Sequence, residues 1–310
     1  MKKGIVILAN VLLYFSSFCQ VDITRPNTDS PQFDSIRIAI QELNEIIALD
    51  STDASALIER ADLLSGIGEP EYFATIFGDE DIYQKAIDDY SKAIKLRPYS
   101  HEGYFKRAYL KDRYLLYDEA IEDYDEALTY AYAKPEKMRI RINRARLKAS
   151  VGKQDVAIND LEKALLEDHQ NHSLLNTLAL IHLDLDDYSE ALKYLNRSLE
   201  FHPGDVITFS NIGFVALNSG KYQQAVNIYD EQIEKDPSRS YMYSNRGQAK
   251  YKLGQTEEAI IDISKAIELD PINSFAYKNR GMIYFDIGNN SKGCEDLLKA
   301  KELGLSLIHI

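Results

Sequence analysis

The chain has 310 residues, with 36 Lys and Arg against 49 Asp and Glu and a formal net charge of −13. Such an acidic balance argues against nucleic acid and anionic membrane surfaces as partners, because both require a basic footprint. With only two cysteines, a fold stapled by several disulfides is excluded as well.

Residues 1–19 read as a signal peptide. Lys2 and Lys3 precede an apolar run from Gly4 to Phe15, too short for a membrane span, followed by Ser16, Ser17, Phe18 and Cys19. Small residues at Ser17 and Cys19 suit cleavage before Gln20, which places the mature chain in a periplasm or cell envelope, or outside the cell. Lipidation of Cys19, the one route to a membrane, is disfavoured by the bulk of Phe18 beside it. Cleavage would leave 34 basic against 49 acidic residues, a net charge of −15. It would also leave Cys294 alone, packed as a small residue and without an intramolecular disulfide. Residues 20–33, with Pro26 and Pro31, read as an extended tether.

From residue 34 onward the chain is periodic. Ala157, Ala191, Ala225, Ala259 and Gly293 stand 34 residues apart, preceded by Ala120 at 37 and Ala86 a further 34 back. Pro203, Pro237 and Pro271 share the interval, as do Gly213, Gly247 and Gly281. This period predicts a solenoid of helix–turn–helix units. Antiparallel helices approach closely only where facing side chains are small. One helix of each pair supplies such a residue, and its neighbour supplies the ladder residue twelve positions later. A second small position follows seven residues on, at Ala93, Ala127, Ala164, Ser198, Ala266 and Ala300. Gln232 interrupts that series, so looser packing is expected there. Proline ends the pairs at Pro203, Pro237 and Pro271, since it is excluded from helix interiors and accepted at helix starts.

Ser240 to Pro271 reads SYMYSNRGQAKYKLGQTEEAIIDISKAIELDP. It resembles a tetratricopeptide repeat, with Tyr243, Gly247, Ala259, Ala266 and Pro271 at the family's marks and Gly254 in the turn. The large residue expected at the eleventh position is displaced: Lys250 stands there and Tyr251 follows. The resemblance spans 34–304 and implies an all-α, right-handed superhelical solenoid of antiparallel helix pairs. In register it gives a half repeat at 34–51 and full repeats at 54–98, 101–132, 138–169, 172–203, 206–237, 240–271 and 274–304, about fifteen helices. Residues Ala133 to Glu136 lengthen one junction by three. Thirteen extra residues lie within Ser65 to Tyr83 and include Tyr72, Phe73 and Phe77, a competing candidate for partner binding. Residues 305–310 follow no repeat and resemble the translated start of a sequencing adapter. A natural chain continuing past residue 304 could carry a further domain.

No catalytic, cofactor or metal constellation emerges. His169 and His172 straddle a junction without further ligands at metal-site spacing. Gly66 and Gly68 form a lone Gly-x-Gly. Asp184, Asp186 and Asp187 read as a solvated turn.

What remains is the inner face of the first helices, which in the family lines a concave groove. Projecting the family's inward positions onto this chain selects Tyr109, Asn143, Arg146, Asn211, Phe214, Asn245, Gln248, Tyr251, Asn279 and Phe285. Asparagine recurs at the sixth position, and an amide offers both a donor and an acceptor to peptide groups. Some superhelical relatives hold peptides with such a file of asparagines. The basic clamp by which other relatives grip acidic chaperone tails is not assembled, since Met282 follows Lys278 and Asn279 where a clamp asparagine belongs. The expectation is therefore an exported, non-enzymatic scaffold that binds a protein or extended peptide without cofactors. Its alternatives are the recognition arm of a truncated enzyme or sensor, and a structural oligomer.

Overall fold

A computed structural model describes residues 31–66, 82–303 and 305. The described residues form fifteen α-helices and no strand. The aromatic insertion, the leader and nearly all of the tail lie outside them. The chain divides into two compact units, one ending at Ile181 and the other running from His182.

The first unit holds α1 (Pro31–Leu49), the pairs α2 (Ala54–Gly66) with α3 (Ile82–Leu96), α4 (His101–Arg113) with α5 (Tyr117–Tyr130), α6 (Lys134–Ser150) with α7 (Gln154–Glu167), and most of α8 (His172–Asp184). In the second unit, α9 (Tyr188–Phe201) precedes the pairs α10 (Val206–Asn218) with α11 (Tyr222–Lys235), α12 (Ser240–Lys252) with α13 (Thr256–Leu269), and α14 (Ser274–Asp286) with α15 (Asn290–Glu302). From α1 to α7, and again from α9 to α15, each helix packs on the next. α1 begins at Pro31, so the last residues of the expected tether are helical; proline is favoured in a first turn because its missing N–H has no intrahelical role there.

The small-residue ladder is the buried seam. Ala86, Ala120, Ala157, Ala191, Ala225 and Ala259 are all fully buried. Four residues beyond each, one turn along the same face, stands a large core side chain: Tyr90, Tyr124, Leu161, Leu195, Tyr229 or Ile263. The facing helix must shrink to admit them. A methyl group on Gly213 would lie 2.7 Å from the Tyr229 ring, and one on Gly247 would lie 2.6 Å from Ile263 and 2.9 Å from the Ala259 carbonyl. The expectation of loose packing at Gln232 is corrected. Its side chain fills the small-residue position at 2% exposure, and its Nε2 is left without a hydrogen-bond partner.

Six of the described turns between helices pass through one residue of left-handed backbone. Gly152, Gly220, Gly254 and Gly288 occupy this place with φ near +80°, while Leu115 and Asp186 occupy it at 62° and 59°. The Asp184–Asp187 turn has structural roles: Asp186 accepts from the Tyr188 hydroxyl at 2.8 Å, and Asp187 accepts from the Glu190 backbone at 3.2 Å, capping α9. The three extra residues near position 134 form the first turn of α6, where Glu136 accepts from the Ala133 N–H at 3.2 Å. Cys294 is buried, packed as a small residue in the last helix pair.

A series of arginines ties the pairs together. Arg60–Asp89, Arg107–Asp123, Arg246–Asp262 and Arg280–Asp296 are bidentate, with every N–O distance between 2.6 and 2.8 Å. Arg144 reaches Asp160 through one bond of 3.2 Å. Each arginine's remaining Nη1 donates backward, to Asn44, Ser91, Asp125, Asp230 or Ser264 on the preceding helix. One guanidinium thus joins both helices of its own pair to the second helix before it (for Arg60, to the lone α1).

Candidate functional site: the inner face of the first helices

In the second unit α12 packs on both α10 and α14, so three successive first helices form a continuous face. Two hydrogen bonds cross it: Tyr251 donates to Asp286 at 2.6 Å, and Asn279 donates to Ser244 at 3.4 Å. The bond to Asp286, assisted by partial burial, raises the Tyr251 pKa to about 12, so the phenol stays protonated and donating at neutral pH.

The expected residues of this unit lie on that face with differing freedom. Asn211, Phe214, Asn245, Gln248, Tyr251, Asn279 and Phe285 are all half-buried. Asn245 hydrogen-bonds the Tyr229 hydroxyl, which donates to the Ser210 carbonyl at 3.3 Å. Phe214 leans on the core between α10 and α12. Phe285 covers Gly293, where an added methyl would come within 2.8 Å of the ring. The face therefore combines half-exposed amides with rings anchored from behind.

A row in the same unit was missed in the sequence. Ile207, Tyr241 and Phe275 occupy the second position of three successive repeats, 34 residues apart, and Ile207 and Phe275 are 54% and 58% exposed. The same 34-residue period that marks the core also marks this row.

In the first unit Tyr109 and Arg146 are exposed and Asn143 is half-buried. Arg139, which the family's inward positions do not select, places its guanidinium 4.3 Å from the centroid of the Phe105 ring. Among the described residues no cluster of three or more His, Cys, Asp or Glu is placed to hold a metal ion, and no helix is long and apolar enough to cross a membrane.

Helix pairs of fixed period, closed by small residues and faced with half-exposed amides and rings, define a repeat scaffold for protein interaction. The tetratricopeptide repeat profile matches residues 240–273, and a second profile of the same description matches 142–206. The chain thus carries tetratricopeptide repeats. No curated protein sequence matches it significantly. Among solved structures, a tetratricopeptide repeat protein from Parabacteroides merdae ATCC 43184 is 21% identical over 82% of this chain and 94% of its own, with a TM-score of 0.61. The APC/C hetero-tetramer Cut9–Hcn1 is 12% identical over 90% of this chain, which spans 52% of that one, with a TM-score of 0.51. MamA from Desulfovibrio magneticus RS-1 is 20% identical over 53% of this chain and 93% of its own, with a TM-score of 0.41. Proteins of this family are typically non-enzymatic scaffolds.

Proposed function

We propose that the protein is an exported scaffold that holds a protein or extended peptide along the inner face of its first helices, chiefly on α10, α12 and α14. The observation that carries this reading is the register of that face. Asn211, Asn245 and Asn279 recur at one position, while Phe214, Tyr251 and Phe285 stand beside them. Amides can pair with peptide groups, and anchored rings offer apolar contact at small entropic loss.

The test begins with a partner captured by the mature chain. Isothermal calorimetry should show Asn245→Ala weakening that partner by about 1 kcal/mol, the net worth of an ordinary hydrogen bond. Tyr251→Ala should weaken it more, as aromatic anchors do. Circular dichroism melts would show that both variants remain folded. Unchanged affinity in the two variants would remove the groove reading.

Export rests on the order of Lys2–Lys3, the apolar run to Phe15 and the small residues before Gln20. N-terminal sequencing and intact mass of protein recovered from its native cell should give Gln20 as the first residue. A diacylglyceryl group on Cys19 would instead make the scaffold membrane-anchored.

A further inference from the structure

In a chain of net charge −13, α6 is strongly basic, with seven Lys and Arg against one Glu between Lys134 and Ser150. Its charges fall into two stripes. Lys137, Arg141, Arg144 and Lys148 follow one face. Of these, Arg141 pairs with Glu167 at 2.8 Å, Arg144 with Asp125 and Asp160, and Lys148 with Asp160 at 2.9 Å. Arg139, Asn143 and Arg146 follow another face at intervals of four and three. Arg139 and Arg146 are exposed, and neither makes an ion pair among the described residues.

Three details make this second stripe a prepared surface. Arg139 sits over Phe105, with its guanidinium carbon 4.3 Å from the ring centroid, a cation–π contact that helps position the charge. Burial raises the pKa of the Tyr124 hydroxyl, Asp112 adds to the rise and Arg146 opposes it, so both charges lie near that hydroxyl. That hydroxyl is fully buried and has no hydrogen-bond partner among the described residues. Asp112 is half-buried, and burial raises its pKa against the pull of Arg146.

We infer that this face binds an acidic segment of a partner protein, held extended with Glu or Asp at every third residue. The inference rests on the groove reading above and adds the chemistry of one ligand. Seven residues of helix separate Arg139 from Arg146 by about 10.5 Å. A polyproline II segment repeats its facing side chains about every 9.3 Å, close enough for two flexible arginines to take two carboxylates. Each contact would be a charge-assisted pair, and the Asn143 amide between them faces the peptide backbone.

The test uses the full chain and a fluorescein-labelled peptide of four Glu-Pro-Pro units, followed by fluorescence anisotropy at low salt. A matched Gln-Pro-Pro peptide is the control. The Glu peptide should bind at least tenfold tighter than the Gln peptide, and the difference should shrink as salt rises. Arg139→Gln and Arg146→Gln should each weaken the Glu peptide about fivefold or more. Arg141→Gln removes the same charge from the other face of α6 and should change affinity less than twofold. Equal binding of the two peptides would discard the acidic ligand and leave the groove reading standing. Equal loss in all three variants would reduce the effect to bulk charge and overturn the site, as would failure of the Glu peptide to bind. The captured partner's response to Asn245→Ala and Tyr251→Ala decides the groove reading separately.

Discussion

Leu115 carries a backbone angle that its side chain resists. Its φ of 62° places the Cβ against the following carbonyl, a conformation that disfavours most L-residues by about 1–2 kcal/mol. Four other turns of the array put glycine in this place, and Asp186 fills a fifth with a short polar side chain better suited to it. Leu115 is 53% exposed, so little packing is lost by removing it. Leu115→Gly should therefore raise stability by up to about 1 kcal/mol after the extra chain entropy of glycine is counted. Asp186→Gly should gain less. A urea midpoint for Leu115→Gly at or below that of the parent would contradict this account. In the sequence, Gly254 marked a turn but the strain at Leu115 was hidden, because a leucine gives no sign of its own dihedral angle.

Among elements, the arginine series sets how successive pairs adhere. Asp296 is 4% exposed, and Arg280 bonds both of its oxygens at 2.8 Å. Removing one member of such a pair strands a buried charge, whereas replacing both with apolar groups can be nearly neutral. The chain already contains the apolar version: Ile212 and Ile228 occupy the equivalent positions of α10 and α11. Arg280→Ile alone should destabilise by about 3 kcal/mol, and adding Asp296→Ile should restore stability to within about 1 kcal/mol of the parent. Thermal unfolding of the full chain gives both numbers, and a double variant no better than the single would reject the argument. These pairs lay in plain view, sixteen residues apart in four of five cases. Sixteen is not a helical interval, so the sequence alone does not mark them as partners. It arises only when one helix folds back along another, and abundant surface carboxylates hide the few that are buried.

At the scale of the molecule, the fold was legible because the core is written once and repeated. Ala86 through Gly293 announced both the period and the seam, and every described ladder residue is buried. The binding face was less legible, since a half-exposed position tolerates many side chains. Asn245 illustrates the difficulty: it lies on the expected face, yet it also supports Tyr229 from within. Charge was misleading when taken as a sum. A net value of −13 concealed a basic α6, because net charge carries no positions.

The backward reach of each arginine has a consequence for how such a protein can change in length. Arg280 donates to Ser264, and Arg246, one period earlier, donates to Asp230. Either acceptor suits either guanidinium. Excision of one whole period between them would bring Arg280 opposite Asp230 with the junction chemistry intact, and duplication would copy the same joint. Gains and losses of complete units are thus nearly silent at the seams, while a fractional insertion must be absorbed locally. The array has absorbed one: three extra residues open α6 as its first turn, and Arg144 still finds Asp125, nineteen positions back instead of sixteen. The number of units is free to drift, and the joint between them is the inherited part.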